Sequence, residues 1–330
     1  MRGVGRVLGS SLGVGFRRLG IALGMGLGAA CIAAEQRGAS ADTVADVAPE
    51  PEPEPETETE TETGPETEPE TETETDTAPE TAAACQGLFG TPNARTGLTT
   101  EQCKPVCACA GAAPWSPPAY DAAFLADLAT WELATPYAVP PADPYADGAI
   151  VVVADAPEAV CAVVPEHNRN GPRRYRLETF ATESAAREAG ATPTHTGHCG
   201  VCSPLADLAV YIAQPDLTEP VRACGLQGMR RGKDANVACL RALGFDAPCA
   251  EVWYYNTLHT RSVCLEPCLA ALDAPYHTPD GALNPCLACD ETQSGPVFKM
   301  VAGRTRRNSG LANAMCRPCD EVRPLVHHYE

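Results

Sequence analysis

The chain has 330 residues, 17 of them cysteine, and a formal charge of −19. Residues 46–80 hold 15 acidic residues and no basic one, and residues 1–45 carry +3, so residues 81–330 carry only −7. The acidity belongs to one stretch, and the remainder is mildly acidic without aromatics interleaved among basic residues, which argues against nucleic acid as a partner.

The first element reads as an export signal over residues 1–34. Arg2, Arg6, Arg17 and Arg18 precede the apolar run from Leu19 to Ala34, and small residues close it. The run spans 16 residues, short of the roughly 20 a membrane-crossing helix needs. Cys31, after Leu27-Gly28-Ala29-Ala30, resembles the lipobox of bacterial lipoproteins, a resemblance that implies a lipid anchor; cleavage near Ala33 or Ala34 is the other route. Either route removes Cys31 and leaves 16 cysteines. An even number outside the cytosol points to a disulfide framework. Residues 35–84, with the run PEPEPETETETETGPETEPETETETDTAPET, have no apolar face and repel themselves, so a disordered linker is expected.

Residues 85–145 read as a small cysteine-rich lobe with Cys85, Cys103, Cys107 and Cys109 among Gly, Thr and Pro. One helix is expected near Ala119 to Leu133, with Phe124, Leu128 and Trp131 on its buried stripe. The prolines between Thr135 and Tyr145 end it. Residues 146–330 read as the main domain. It starts with a strand at Ala149–Val153 and a hairpin of Val160–Pro165 and Arg174–Phe180 around His167–Pro172. A helix from Thr182 to Ala189, stopped by Gly190, and a strand at Ala191–His195 follow. The fold class is α+β, a hairpin or three-stranded sheet packed with several disulfide-linked helices.

The stretch from His195 to Tyr211 crowds His195, His198, Cys199 and Cys202 ahead of a helix. Ser203 suits its N-cap and Pro204 its first position. Leu205, Leu208, Ala209 and Ile212 form its buried stripe, running to about Ala213. Cys199-Gly-Val-Cys202 resembles the C-G-x-C motif of thioredoxin-family oxidoreductases. That resemblance implies Cys199 as nucleophile and Cys202 as resolving thiol, with the helix dipole favouring a thiolate. The family's aromatic before the first cysteine is His198 here, and its downstream cis-proline has only Pro248 to correspond to it, at a helix start. The alternative is that both thiols bond other cysteines. The two histidines and two cysteines are also acceptable zinc ligands on one loop.

Helices are next expected at Asp234–Leu243, with Gly244 beyond it, and at Ala247–Leu272. Cys249, Trp253, Cys264 and Cys268 share one face of the second, and Pro267 kinks its end. Asn256 and His259 lie mid-helix, where a lone histidine is usually an ordinary packed or solvated group. Cys286-x2-Cys289 and Cys316-x2-Cys319, 26 residues apart, resemble a zinc ribbon, which implies zinc on Cys286, Cys289, Cys316 and Cys319; the export signal favours disulfides instead. Between the pairs, a strand at Val297–Ala302, a basic turn and a helix from Ser309 to Met315 make an anion cradle. Its residues are Arg304, Arg306, Arg307, Asn308 and Ser309, with His195 and His198 nearby. The alternative is a surface loop whose arginines pair with Asp290 and Glu291. No Ser-His-Asp pattern, H-E-x-x-H or phosphate-binding glycine loop is visible. The sequence therefore reads as an exported or envelope-tethered binding domain without a cofactor. Its partner is an anionic small molecule or another extracytoplasmic protein, and it touches a membrane only through an N-terminal anchor. A thiol–disulfide oxidoreductase and a zinc protein are the alternatives.

Overall fold

The computed structural model describes residues 85–146, 149–154, 156–166 and 171–330. The export signal, Cys31, the acidic linker and the tip of the expected hairpin lie outside them.

Four two-residue strands come first: β1 (Cys85–Gln86), β2 (Leu88–Phe89), β3 (Cys103–Lys104) and β4 (Ala108–Cys109). β1 pairs antiparallel with β4, and β2 runs parallel to β3. On its other side β2 pairs antiparallel with β9 (Arg317–Pro318), near the far end of the chain. Strands this short have too little apolar surface to stand alone. They are held by Cys103–Cys316 and Cys107–Cys319 and by Phe89 packed with Trp115 and Val322. Residues 85–145, expected as a lobe of their own, are thus woven into one compact unit with the rest of the described chain.

Asp121 caps α1 (Ala122–Leu128), its carboxylate accepting from the Phe124 N–H at 2.8 Å. The helix ends five residues sooner than its apolar spacing suggests. The Thr130 hydroxyl donates to the Asp127 carbonyl, tightening the last turn, and β5 (Trp131–Leu133) leaves as a strand. Trp131 is buried by its strand position and carries the Arg173 guanidinium over its ring at 4.8 Å.

β5 adds a fourth strand to the expected sheet. β6 (Val160–Glu166) and β7 (Arg173–Phe180) form the predicted hairpin, Val160 opposite Phe180 and Val163 opposite Leu177. β8 (Thr192–Thr196) lies antiparallel on the other side of β6, giving the order β5-β7-β6-β8. β6 is covered on both faces: Val163 enters the main core, while Val160 and Ala162 pack with Ala186 and Ala191. A central strand buried twice needs no polar alternation. Ala186 sits on α2 (Glu183–Glu188), capped by Thr182 and followed by Gly190 at φ +71°. Residues 149–153 form no strand; Val151 is 79% exposed. That β-branched run lacks a partner, because β5 and β8 already occupy the sheet's edges.

The helices follow: α3 (Leu205–Ala213), α4 (Thr218–Arg231), α5 (Lys233–Ala242), α6 (Ala247–Val263), α7 (Leu265–Ala270), α8 (Pro285–Gln293) and α9 (Gly295–Ala302). The long helix expected to reach Leu272 breaks into α6 and α7 at Cys264. Pro267 has no N–H for the Val263 carbonyl, four residues back, and its ring would strike that oxygen. The strand expected at Val297–Ala302 is helical instead. Pro296 fits the first turn, and Phe298 and Ala302 bury one face at a spacing of four. The helix expected from Ser309 is a single 3-10 turn, η1 (Arg307–Ser309), stopped by Gly310 at φ +65°. A second such turn, η2 (Cys319–Glu321), lies near the chain's end.

Leu205, Leu208, Leu240, Val252 and Phe298 form the core against Val163 and Tyr175 of the sheet. Beyond the two bonds to the N-terminal strands, six more link Cys85–Cys109, Cys161–Cys199, Cys202–Cys249, Cys224–Cys239, Cys264–Cys289 and Cys268–Cys286. Eight disulfides suit an oxidising, extracytoplasmic environment. Among the described residues, no helix is long and apolar enough to cross a membrane.

Candidate functional site

The disulfides decide the cysteine alternatives. Cys199 bonds Cys161 on β6, and Cys202 bonds Cys249 on α6. Neither is the other's partner, so the dithiol that the C-G-x-C resemblance implies is not formed. Its glycine serves packing instead. A Cβ on Gly200 would stand 2.4 Å from the Val301 carbonyl oxygen and 2.6 Å from the Ala302 carbonyl carbon. At this approach Val201 and Cys202 donate their N–H groups to the carbonyls of Val301 and Ala302, completing the end of α9. The four cysteines of the zinc-ribbon spacing are also taken: Cys286 by Cys268, Cys289 by Cys264, Cys316 by Cys103 and Cys319 by Cys107.

The residues expected to cradle an anion form an internal brace. Arg304 is 0% exposed. Its guanidinium donates to the carbonyls of Thr194, Cys202 and Ser203 and to the hydroxyls of Thr194 and Ser309. Five donors on a rigid fork suit this cluster of acceptors. Burial holds the Arg304 pKa below its ordinary value. Arg306 donates to the Tyr211 and Gln214 carbonyls, answering the C-terminal end of α3. Arg307 reaches Glu321 and Glu291, and Arg317 joins Glu291 from β9. The Glu291 pairing is the one anticipated for a surface loop. Asn308 donates to the carbonyls of Thr196 and Gly303. With Ser309 accepting from Arg304, the arginines and Asn308 of the segment expected to cradle an anion bind groups of the protein itself.

His195 and Ser203 are both 0% exposed. The His195 Nδ1–H donates to the Thr196 carbonyl at 3.0 Å, which leaves Nε2 to accept from the Ser203 hydroxyl at 2.7 Å. Ser203 Oγ in turn accepts from the Gly200 N–H at 2.8 Å. Ser203 therefore holds this loop and does not cap α3; the Leu205 N–H at the start of α3 donates to the Tyr175 hydroxyl. Burial, then the Arg304 charge, holds the His195 pKa well below its ordinary value. Such a pair is a sealed strut. His198 donates from Nε2 to the Met300 carbonyl at 2.6 Å. His259 stacks under Tyr145 and bonds Ser294, a contact between α6 and the junction of α8 with α9.

A groove of about 230 Å³ opens elsewhere, between α4, α5 and α6. Its floor depends on glycine. A Cβ on Gly228 would lie 2.7 Å from the Asn236 Cβ, and one on Gly225 would lie 2.6 Å from Thr257 Cγ2. The missing side chains let α5 and α6 close on α4, and Cys224–Cys239 fastens the first pair. Gly232, at φ +87°, turns the chain between α4 and α5 within Arg230-Arg231-Gly232-Lys233. Lys233 pairs with Glu251, bonds the Tyr255 hydroxyl and lies over the rings of Tyr254 and Tyr255. The Glu251 bond, its first cause, raises the ammonium pKa.

The rest of the lining is less well partnered. Arg261 makes no hydrogen bond or ion pair among the described residues, and the same holds for the exposed Arg230 and Arg231 at the end of α4. Asn236 is 2% exposed, yet its side-chain amide makes no hydrogen bond among the described residues, and Oδ1 is sealed from solvent. A buried amide left this way costs about 1–3 kcal/mol. α5 also begins without a side-chain cap, so its first-turn amides add positive potential. Sequence reading passed over this site: its one local sign was the short basic run at Arg230, while α4 was hidden by Pro220, Gly225 and Gly228.

No curated protein and no solved structure matches the chain. Residues 233–324 are similar to a family of unknown function (DUF8771). That segment carries Lys233, Asn236, Tyr254 and Arg261, but the α4 side of the groove lies before it. Cys239, Cys249, Cys316 and Cys319 bond cysteines outside it, so the matched stretch is fastened to the rest of the described chain.

Proposed function

We propose that this chain is an extracytoplasmic binding domain, secreted or lipid-anchored at the cell envelope, which takes a small anion in the groove between α4, α5 and α6. The observation that carries this reading is Arg261. Its guanidinium, without a partner among the described residues, lines the same groove as the Asn236 side-chain amide. The orphaned atom of that amide is Oδ1, an acceptor that an anion does not satisfy. An anion can accept from the guanidinium fork and from the Asn236 Nδ2–H group of the same groove. The anionic ligand inferred from the sequence is kept, and its seat moves from residues 304–309 to this groove.

The test is calorimetric titration of the disulfide-intact chain with acetate, benzoate, sulfate and inorganic phosphate. At least one should saturate a single site, bind more weakly as salt rises, and lose about tenfold or more in affinity in Arg261→Ala. Absence of saturable binding by all four, or equal affinity in Arg261→Ala, refutes the proposal.

A further inference from the structure

The groove has a second character that an inorganic anion does not use. Met229 and Leu258 line it together with Tyr254 and with the polar Asn236, Thr257 and Arg261. Met229 is 58% exposed, on a helix that has a core to pack against. The glycines at 225 and 228 let Thr257 and Asn236 lie directly on the backbone of α4. Lys233 already has Glu251, which leaves Arg261 as the unpaired cation lining the groove. A single fork beside an amide matches one planar carboxylate better than a multiply charged anion. The volume of about 230 Å³ lies under the roughly 300–1,000 Å³ of drug-sized sites.

Resting on the anion-binding reading above, we infer that the ligand is a small monocarboxylate bearing an aromatic or compact apolar group. Its carboxylate faces the Arg261 guanidinium and the Asn236 Nδ2–H group, and its apolar part lies against Tyr254 and Met229. Contact with a ring and a thioether adds affinity that a bare carboxylate does not gain.

The experiment compares benzoate with acetate on the same disulfide-intact chain. Benzoate should bind at least about tenfold more tightly. Met229→Ser, at an exposed position, and Tyr254→Leu, which keeps an apolar filling, should each remove most of that advantage while leaving acetate unchanged. Arg261→Ala should weaken both probes together. If benzoate and acetate bind alike and both depend on Arg261, this inference fails while the anion-binding reading stands. It fails in the same way if phosphate, with Arg261 dependence, outcompetes benzoate. If none of these three binds, nor sulfate, both fall.

Discussion

The paired bonds between the two ends of the described chain give a prediction whose size follows from sequence separation. Cys103–Cys316 and Cys107–Cys319 close loops of 213 and 212 residues. In the chain-entropy account, closing a loop that long is worth about 5 kcal/mol. Once one bond exists, however, the other closes a ring of only roughly seven residues, worth about 2 kcal/mol. Cys103→Ala with Cys316→Ala should therefore cost only ~2 kcal/mol, and so should Cys107→Ala with Cys319→Ala. Removing both bonds should cost ~7 kcal/mol, well beyond the two losses added together. Urea denaturation of the three variants, with the remaining bridges verified by mass, reads these numbers directly. Strict additivity would refute the reasoning. It would mean that the pairing of β2 with β9 and the packing of Phe89 with Val322 keep the ends together without sulfur.

Two further outcomes test the interior. Burial pushes the Asp207 carboxyl up to about 8, above about 3.9 for an unfolded chain, so the folded state holds a proton that the unfolded state releases. Stability should fall as pH rises between about 4 and 8, and Asp207→Asn should remove up to ~5 kcal/mol of that fall, compared by urea midpoints at pH 5 and pH 9; an unchanged pH profile in the variant would contradict this. Gly200→Ala presses a methyl group onto backbone atoms of α9 and should cost at least ~2–3 kcal/mol in thermal unfolding. Gly190→Ala, at φ +71° with open space around it, should cost only ~1–2 kcal/mol, and equal losses in the two variants would count against the close-packing account.

Local signals were legible where one residue decides one event. Thr182 and Gly190 bound α2, and the alternation of Tyr175 with arginines announced β7, because caps, stops and strand faces are set within a few residues. Even a correct count of cysteines leaves connectivity open, since partners as far apart as Cys103 and Cys316 meet only through the fold. The arginines at 304 and 306 misled for a related reason. A guanidinium suits an external anion and a set of uncapped carbonyls equally well, and the end of α3 and the middle of β8 supply the carbonyls. Gly200 stood in a redox spacing, but its requirement comes from α9, a hundred residues away. The groove was hidden likewise: α4 reads poorly as a helix because of the glycines that α5 and α6 need for contact.

The bond pattern also bears on survival against proteases. A single backbone cut anywhere between Cys107 and Cys316 yields two fragments that share no peptide continuity yet stay joined through Cys103–Cys316 and Cys107–Cys319. Such a nicked molecule would run as one band until reductant is added. The same closure makes the molecule close to a ring, so new ends placed at a surface loop would leave it in one piece.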